Sequence, residues 1–153
     1  MAFTHEIGHI IGGWCSGGTL KDASLWPWHL PYSFFDPNPH PLVTLWSGPI
    51  VGVMFPVVIA MIFRREWIWL IAYFCILANG VYLATAWLVG EDQLDTQKLL
   101  RAGAHPIAIV LYCLLTIGAG YHGLRRSCIR FFTPTDLGHQ QESTSPVERG
   151  NYR

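Results

Sequence analysis

The sequence predicts an all-α membrane protein of about four helices, one short at the N-terminus and three spanning, with a short irregular or β-containing interfacial loop. Three observations predict it. Three apolar runs of spanning length carry no Asp, Glu, Lys or Arg; a helical N-terminal segment is too short to cross; and five prolines crowd the stretch between that segment and the first run. Charged residues make up 13% of the 153-residue chain, about half the usual share, and the deficit is concentrated in those runs.

The N-terminal segment, Ala2 to Trp14, has helical character but only 13 residues, too few to span alone. Two explanations stay open: it enters the bilayer part-way, or further residues precede Met1. No secretory signal is expected, because Met1 leads directly into the motif discussed below without a basic n-region or cleavage site.

The stretch 14–41 follows, rich in Gly, Pro and aromatic residues. Prolines at 27, 31, 37, 39 and 41 forbid a continuous helix. Trp26, Trp28, Tyr32, Phe34 and Phe35 suit the headgroup level, so short extended pieces at the interface are expected.

The spans are Leu42–Phe63 (22 residues), Trp67–Val89 (23) and Pro106–Leu124 (19). At about 1.5 Å per residue each can cross a hydrocarbon core of about 30 Å. Three buried helices in a soluble globule would need amphipathic partners, and the sequence has none. Pro49 and Pro56 read as kinks. Residues 1–132 thus form one membrane-embedded domain of a multi-pass integral membrane protein; 133–153 form a polar tail expected to be disordered.

Arg64 and Arg65 follow the first span, and Arg125, Arg126 and Arg130 follow the third. Two crossings separate these groups, so they share a side. The other side carries Lys21, Lys98 and Arg101 among five acids, and the arginine-rich side is therefore expected to be cytoplasmic. Net charge is zero with only two lysines, which excludes an electrostatic nucleic-acid surface. The four cysteines form no CxxC pair, so neither a disulfide framework nor a zinc knot is expected.

The chemistry-bearing motif lies in the N-terminal helix: His5-Glu6-Ile7-Gly8-His9, an HExxH pattern. Residues four apart share a helix face with Cβ atoms about 5–6 Å apart, so both imidazoles reach one zinc at about 2.0–2.1 Å. Glu6 lies beside such a metal rather than on it, where a general base for an activated water belongs. A chain of this His and Glu content shows the pattern by chance about 0.01 times. A glutamate among Ile, Gly and Phe in a membrane-embedded helix is costly, which points to function rather than a helix end facing water. Gly8 and Gly12, with Gly48 and Gly52 in the first span, are small-residue pairs that let two helices approach closely.

THEIGHIIGGW (4–14), NPHPLVTLWSGPIVG (38–52), ILANGVYL (76–83) and DTQKLLRAGAHP (95–106) together resemble the site-2-protease-like intramembrane zinc metallopeptidases, in the order of that family's compact members. The resemblance covers about three-quarters of the chain; HExxH itself is shared with many metallopeptidases, and its setting among three spans is the specific part. It implies hydrolysis of peptide bonds within or beside the bilayer, with a membrane protein or peptide as substrate.

The resemblance also implies a third zinc ligand from a later aspartate, usually Leu-Asp-Gly. Here Leu94-Asp95 precedes Thr96, a partial match. Asp95 is the first choice, although an aspartate before Thr-Gln-Lys-Leu-Leu also reads as a plain N-cap. Asp92, His105 and Asp36 stay open as alternatives. Topology brings His9, His40, Asp92, Asp95 and His105 to one end of the bundle and leaves His122 at the other. The family's site usually lies nearer the cytosol, in conflict with the arginine count. Asn79, in mid-span, is assigned by the resemblance to hold the substrate near the metal, bonding the scissile carbonyl or oxyanion; the alternative is an Asn-Gly kink satisfied locally. His29, His40 and His139 read as solvated.

The expected chemistry is therefore zinc held by His5, His9 and Asp95, with a zinc-activated water deprotonated by Glu6. A non-catalytic membrane protein with a structural or partner-binding zinc site is the alternative. Haem ligation is disfavoured because no histidine lies mid-span. The substrate and oligomeric state are left open.

Overall fold

The computed structural model describes residues 1–26, 28 and 31–133. The tail 134–153, with His139, and the loop residue His29 lie outside the described residues. Among the described residues, five helices and one hairpin follow in order: α1 Ala2–Cys15, β1 Leu20–Ser24, β2 Tyr32–Phe35, α2 Pro41–Phe63, α3 Glu66–Val89, α4 Asp95–Arg101 and α5 Pro106–Phe132. The helix count of about four is thus corrected to five: α4, only 7 residues long, is too short for periodicity to announce it and is held by packing instead.

Three helices, α2, α3 and α5, are long and apolar enough to cross a membrane. Pro41 and Pro106 open α2 and α5, where the missing N–H costs nothing. Left-handed residues close α2 at Arg64 and α3 at Gly90. Large apolar side chains such as Phe55, Ile62, Phe74 and Leu115 are exposed along all three. So much exposed apolar surface suits lipid contact rather than water.

Small residues set the helix spacing. Gly8 and Gly12 of α1 lie over Val43, Ser47 and Gly48 of α2, where any Cβ would collide, and Gly120 of α5 lies within such reach of the Leu77 backbone of α3. Both expected small-residue surfaces of α1 and α2 meet. Pro49 joins the three long helices as well: its carbonyl accepts from Asn79 Nδ2 of α3 at 3.3 Å and from the Tyr112 hydroxyl of α5 at 2.8 Å.

The loop 14–41 contains a two-stranded antiparallel hairpin, pairing Leu20 with Phe35 and Ser24 with Tyr32, with an irregularity between Leu20 and Asp22. Trp26, Trp28, Tyr32 and Phe34 are exposed, as expected of interfacial aromatics. Phe35 departs from that expectation. It is buried against Gly13 and Gly18, because strand alternation turns it inward and two glycines leave room for a ring.

Candidate metal centre

The site begins with α1. Its helical pitch puts His5 and His9 on one face, ring centroids 4.8 Å apart, with Glu6 beside them. All three side chains are buried although α1 ends in exposed residues. The glycines explain this: with Gly8 and Gly12 in the interface, α1 lies so close to α2 that His9 packs directly over Gly48.

Asp95 arrives from the other half of the sequence. It is the first residue of α4, after the N-cap Leu94, and it forms no cap hydrogen bond. The N-cap reading is therefore set aside. α4 is fixed by Leu99, fully buried with Leu83 and Ile109, and by the Thr96 hydroxyl, which donates to the Leu83 carbonyl at 2.7 Å. This anchoring turns the Asp95 carboxylate toward α1.

There Asp95 Oδ2 lies 2.8 Å from His5 Nε2 and 3.5 Å from His9 Nε2. One donor atom from each of the three residues lies within 4.8 Å of the others. Ligands about 2.0–2.1 Å from a tetrahedral ion are about 3.3 Å apart, so these separations bracket the spacing a metal imposes. The His5–His9–Asp95 cluster is thus able to bind a metal ion.

The hydrogen bonds around the cluster point the same way. His9 Nδ1 lies 2.8 Å from the Thr44 carbonyl, an acceptor only, so the proton is on Nδ1. Nε2, on the opposite side of the ring, faces Asp95 Oδ2, buried and without a hydrogen-bond partner. An imidazole held through its outer nitrogen is the usual arrangement of a metal ligand. His5 Nδ1 is also buried and unpartnered. Burial opposes ionisation of Asp95, but the adjacent His5 and His9 outweigh it and hold the carboxyl well below its usual range. That direction favours the ionised form, which ligation requires.

Three neighbours complete the site. The Tyr82 hydroxyl of α3 donates to Asp95 Oδ2 at 3.2 Å, and its ring meets His5 edge-on. Ser33 of β2 donates its hydroxyl to Glu6 Oε1. A cavity of about 860 Å³ opens beside the cluster, walled by His5, Glu6, His9 and Asp95 on one side and by Tyr32 to Phe35 of the hairpin on the other. Strand β2 of the 14–41 loop thus forms part of its wall.

The other candidates lie elsewhere. Asp92 is exposed and paired with Arg101. His105 caps α5, its Nδ1 accepting from Ile107 N at 3.3 Å, and Asp36 is exposed. His40 is the N-cap of α2. Asn79 is fully buried one layer beneath His5, its amide on Pro49 O, and it does not line the cavity. Gly52 opens the space that draws the Asn79 amide onto α2, and Tyr82, one turn nearer the end of the span, takes the place facing the cluster. Tyr82, Thr44 and Ser33 were not singled out in the sequence. Tyr82 alone left a signal there, a phenol one turn beyond Asn79 toward Asp95.

Compared with family models, curated proteins and solved structures, the chain matches none.

Proposed function

We propose that this chain is a membrane-embedded zinc metallopeptidase that hydrolyses peptide bonds within or beside the bilayer, with Glu6 as general base. One observation carries the reading: residues 5, 9 and 95 bring three metal-type donors together, buried, with a carboxylate beside them and a cavity in front. The resemblance in sequence to the site-2-protease-like family is consistent with it. Zinc suits two imidazoles and a carboxylate, and three protein donors leave a fourth position open, as in catalytic rather than structural sites. When bound, zinc supplies Lewis acidity toward a carbonyl and lowers the pKa of water toward about 7.

The chain's own residues supply the rest. Glu6 takes a proton from the attacking water and returns it to the leaving amine. The Ser33 hydroxyl holds Glu6 in that orientation. Thr44 orients His9 through its outer nitrogen, and Tyr82 orients Asp95 through the Oδ2 that faces the histidines. A helical substrate hides its carbonyls in i→i+4 bonds, so a segment must unwind before it enters the cavity.

Glu6→Gln tests the reading. Zinc content and cleavage of a fluorescently labelled casein and of labelled transmembrane peptides are measured on detergent-purified protein. The variant is expected to keep its zinc and lose at least about 100-fold in cleavage rate. Undiminished cleavage by Glu6→Gln contradicts the assigned role, and a zinc-loaded unmodified chain that cleaves nothing supports the structural-zinc alternative.

A further inference from the structure

At the end of the bundle away from the metal cluster, a second cavity of about 420 Å³ lies between the start of α3 and the end of α5. Trp69, Tyr73 and Glu66 line it from α3, and His122, Arg126 and Arg130 from α5. The Trp69 and Tyr73 rings pack 5.5 Å apart, and Tyr73 lies against Gly123, where any Cβ would collide. The floor is therefore aromatic and backbone, and the rim is basic.

Arg126 stands 20 residues beyond Pro106, which at about 1.5 Å per residue places it about 30 Å along α5, at headgroup depth. Among the described residues, Arg126 forms no ion pair, and Arg130 has a 3.7 Å pair with Glu66 in which both side chains are about two-thirds exposed. Such a pair is weak and leaves most guanidinium donors free. This end carries Arg64, Arg65, Arg125, Arg126 and Arg130 against the one described acid, Glu66.

We propose that this cleft binds the phosphate of an anionic phospholipid headgroup. Guanidinium forks match phosphate oxygens two at a time, and basic pockets between spans are suited to lipid phosphates. Trp69 and Tyr73 favour a lipid over free phosphate, since amphipathic rings at this depth pack against glycerol and upper acyl chain. Glu66 is the internal competitor for Arg130. The proposal is independent of the peptidase reading.

The test is native mass spectrometry of delipidated protein in neutral detergent, titrated with phosphatidylglycerol, phosphatidylcholine or millimolar inorganic phosphate. Phosphatidylglycerol is expected to be retained over phosphatidylcholine and not displaced by inorganic phosphate. Arg126→Gln with Arg130→Gln should lower its retention at least about tenfold. Arg64→Gln with Arg125→Gln removes the same charge outside the cleft and should lower it less, and Glu66→Gln should raise it. Equal retention of the two lipids, equal loss from the two arginine pairs, or displacement by inorganic phosphate would each overturn the proposal.

Discussion

A buried imidazole with one nitrogen satisfied and the other bare is an unusual expense, and His9 shows it plainly. Its Nδ1 is committed to Thr44 O, and its Nε2 has no hydrogen-bond partner. A buried polar atom left unpaired costs about 1–3 kcal/mol, a penalty that a cation beside Asp95 removes. Tyr82 acts on the same carboxylate oxygen that His5 approaches. Tyr82→Phe keeps the ring against His5 and removes only the hydroxyl. It is expected to weaken zinc binding about 10-fold, read by competition with a chromophoric chelator; unchanged affinity would deny Tyr82 any part in orienting Asp95. At this scale His5, Glu6 and His9 were legible, because a four-residue spacing on a helix fixes their common face. Topology brought Asp95 to the right end among several candidates, and only the family resemblance singled it out, since nothing local links residues 90 apart. The substrate-holding place given to Asn79 rested on that resemblance, and the described Asn79 faces α2 instead, drawn there by the space over Gly52.

At the scale of elements, glycine placement decides whether the cluster assembles. A Cβ on Gly48 would collide with the His9 imidazole, whereas one on Gly118 of α5 meets nothing within 4 Å. Gly48→Ala should therefore destabilise the fold by about 1–3 kcal/mol through overpacking and push His9 off the cluster. Gly118→Ala should be neutral or stabilising by about 0.5–1 kcal/mol through helix propensity. Thermal unfolding in detergent, with zinc content measured alongside, separates the two; equal behaviour would show that α1 and α2 are not packed as described. The three long apolar helices were legible from length and missing charge alone, and the small-residue surfaces from spacing. α4 was not counted, because seven residues carry no reliable period and its stability comes from burying Leu99 and bonding Thr96. The hairpin was foreseen only as extended pieces, since its pairing partners are set by register and not by composition.

Over the whole molecule the two ends differ. One gathers α1, the hairpin and α4 around three donors and a cavity; the other gathers arginines around an aromatic cleft. Between them, three helices long and apolar enough to cross a membrane expose large hydrophobic side chains. The division was legible in the order of apolar runs and charges, because each crossing reverses the side on which a loop emerges. Chain order thereby delivers Asp95 to the end where α1 carries His5 and His9. Residues 5, 9 and 95 are proposed to hold one metal ion together, and elemental analysis of zinc in detergent-purified protein puts that to the test. The unmodified chain should hold about one zinc, with His9→Ala and Asp95→Ala each lowering it about 10-fold or more while helix content is retained. Full zinc occupancy in Asp95→Ala, or none in the unmodified chain after exposure to zinc, would contradict it.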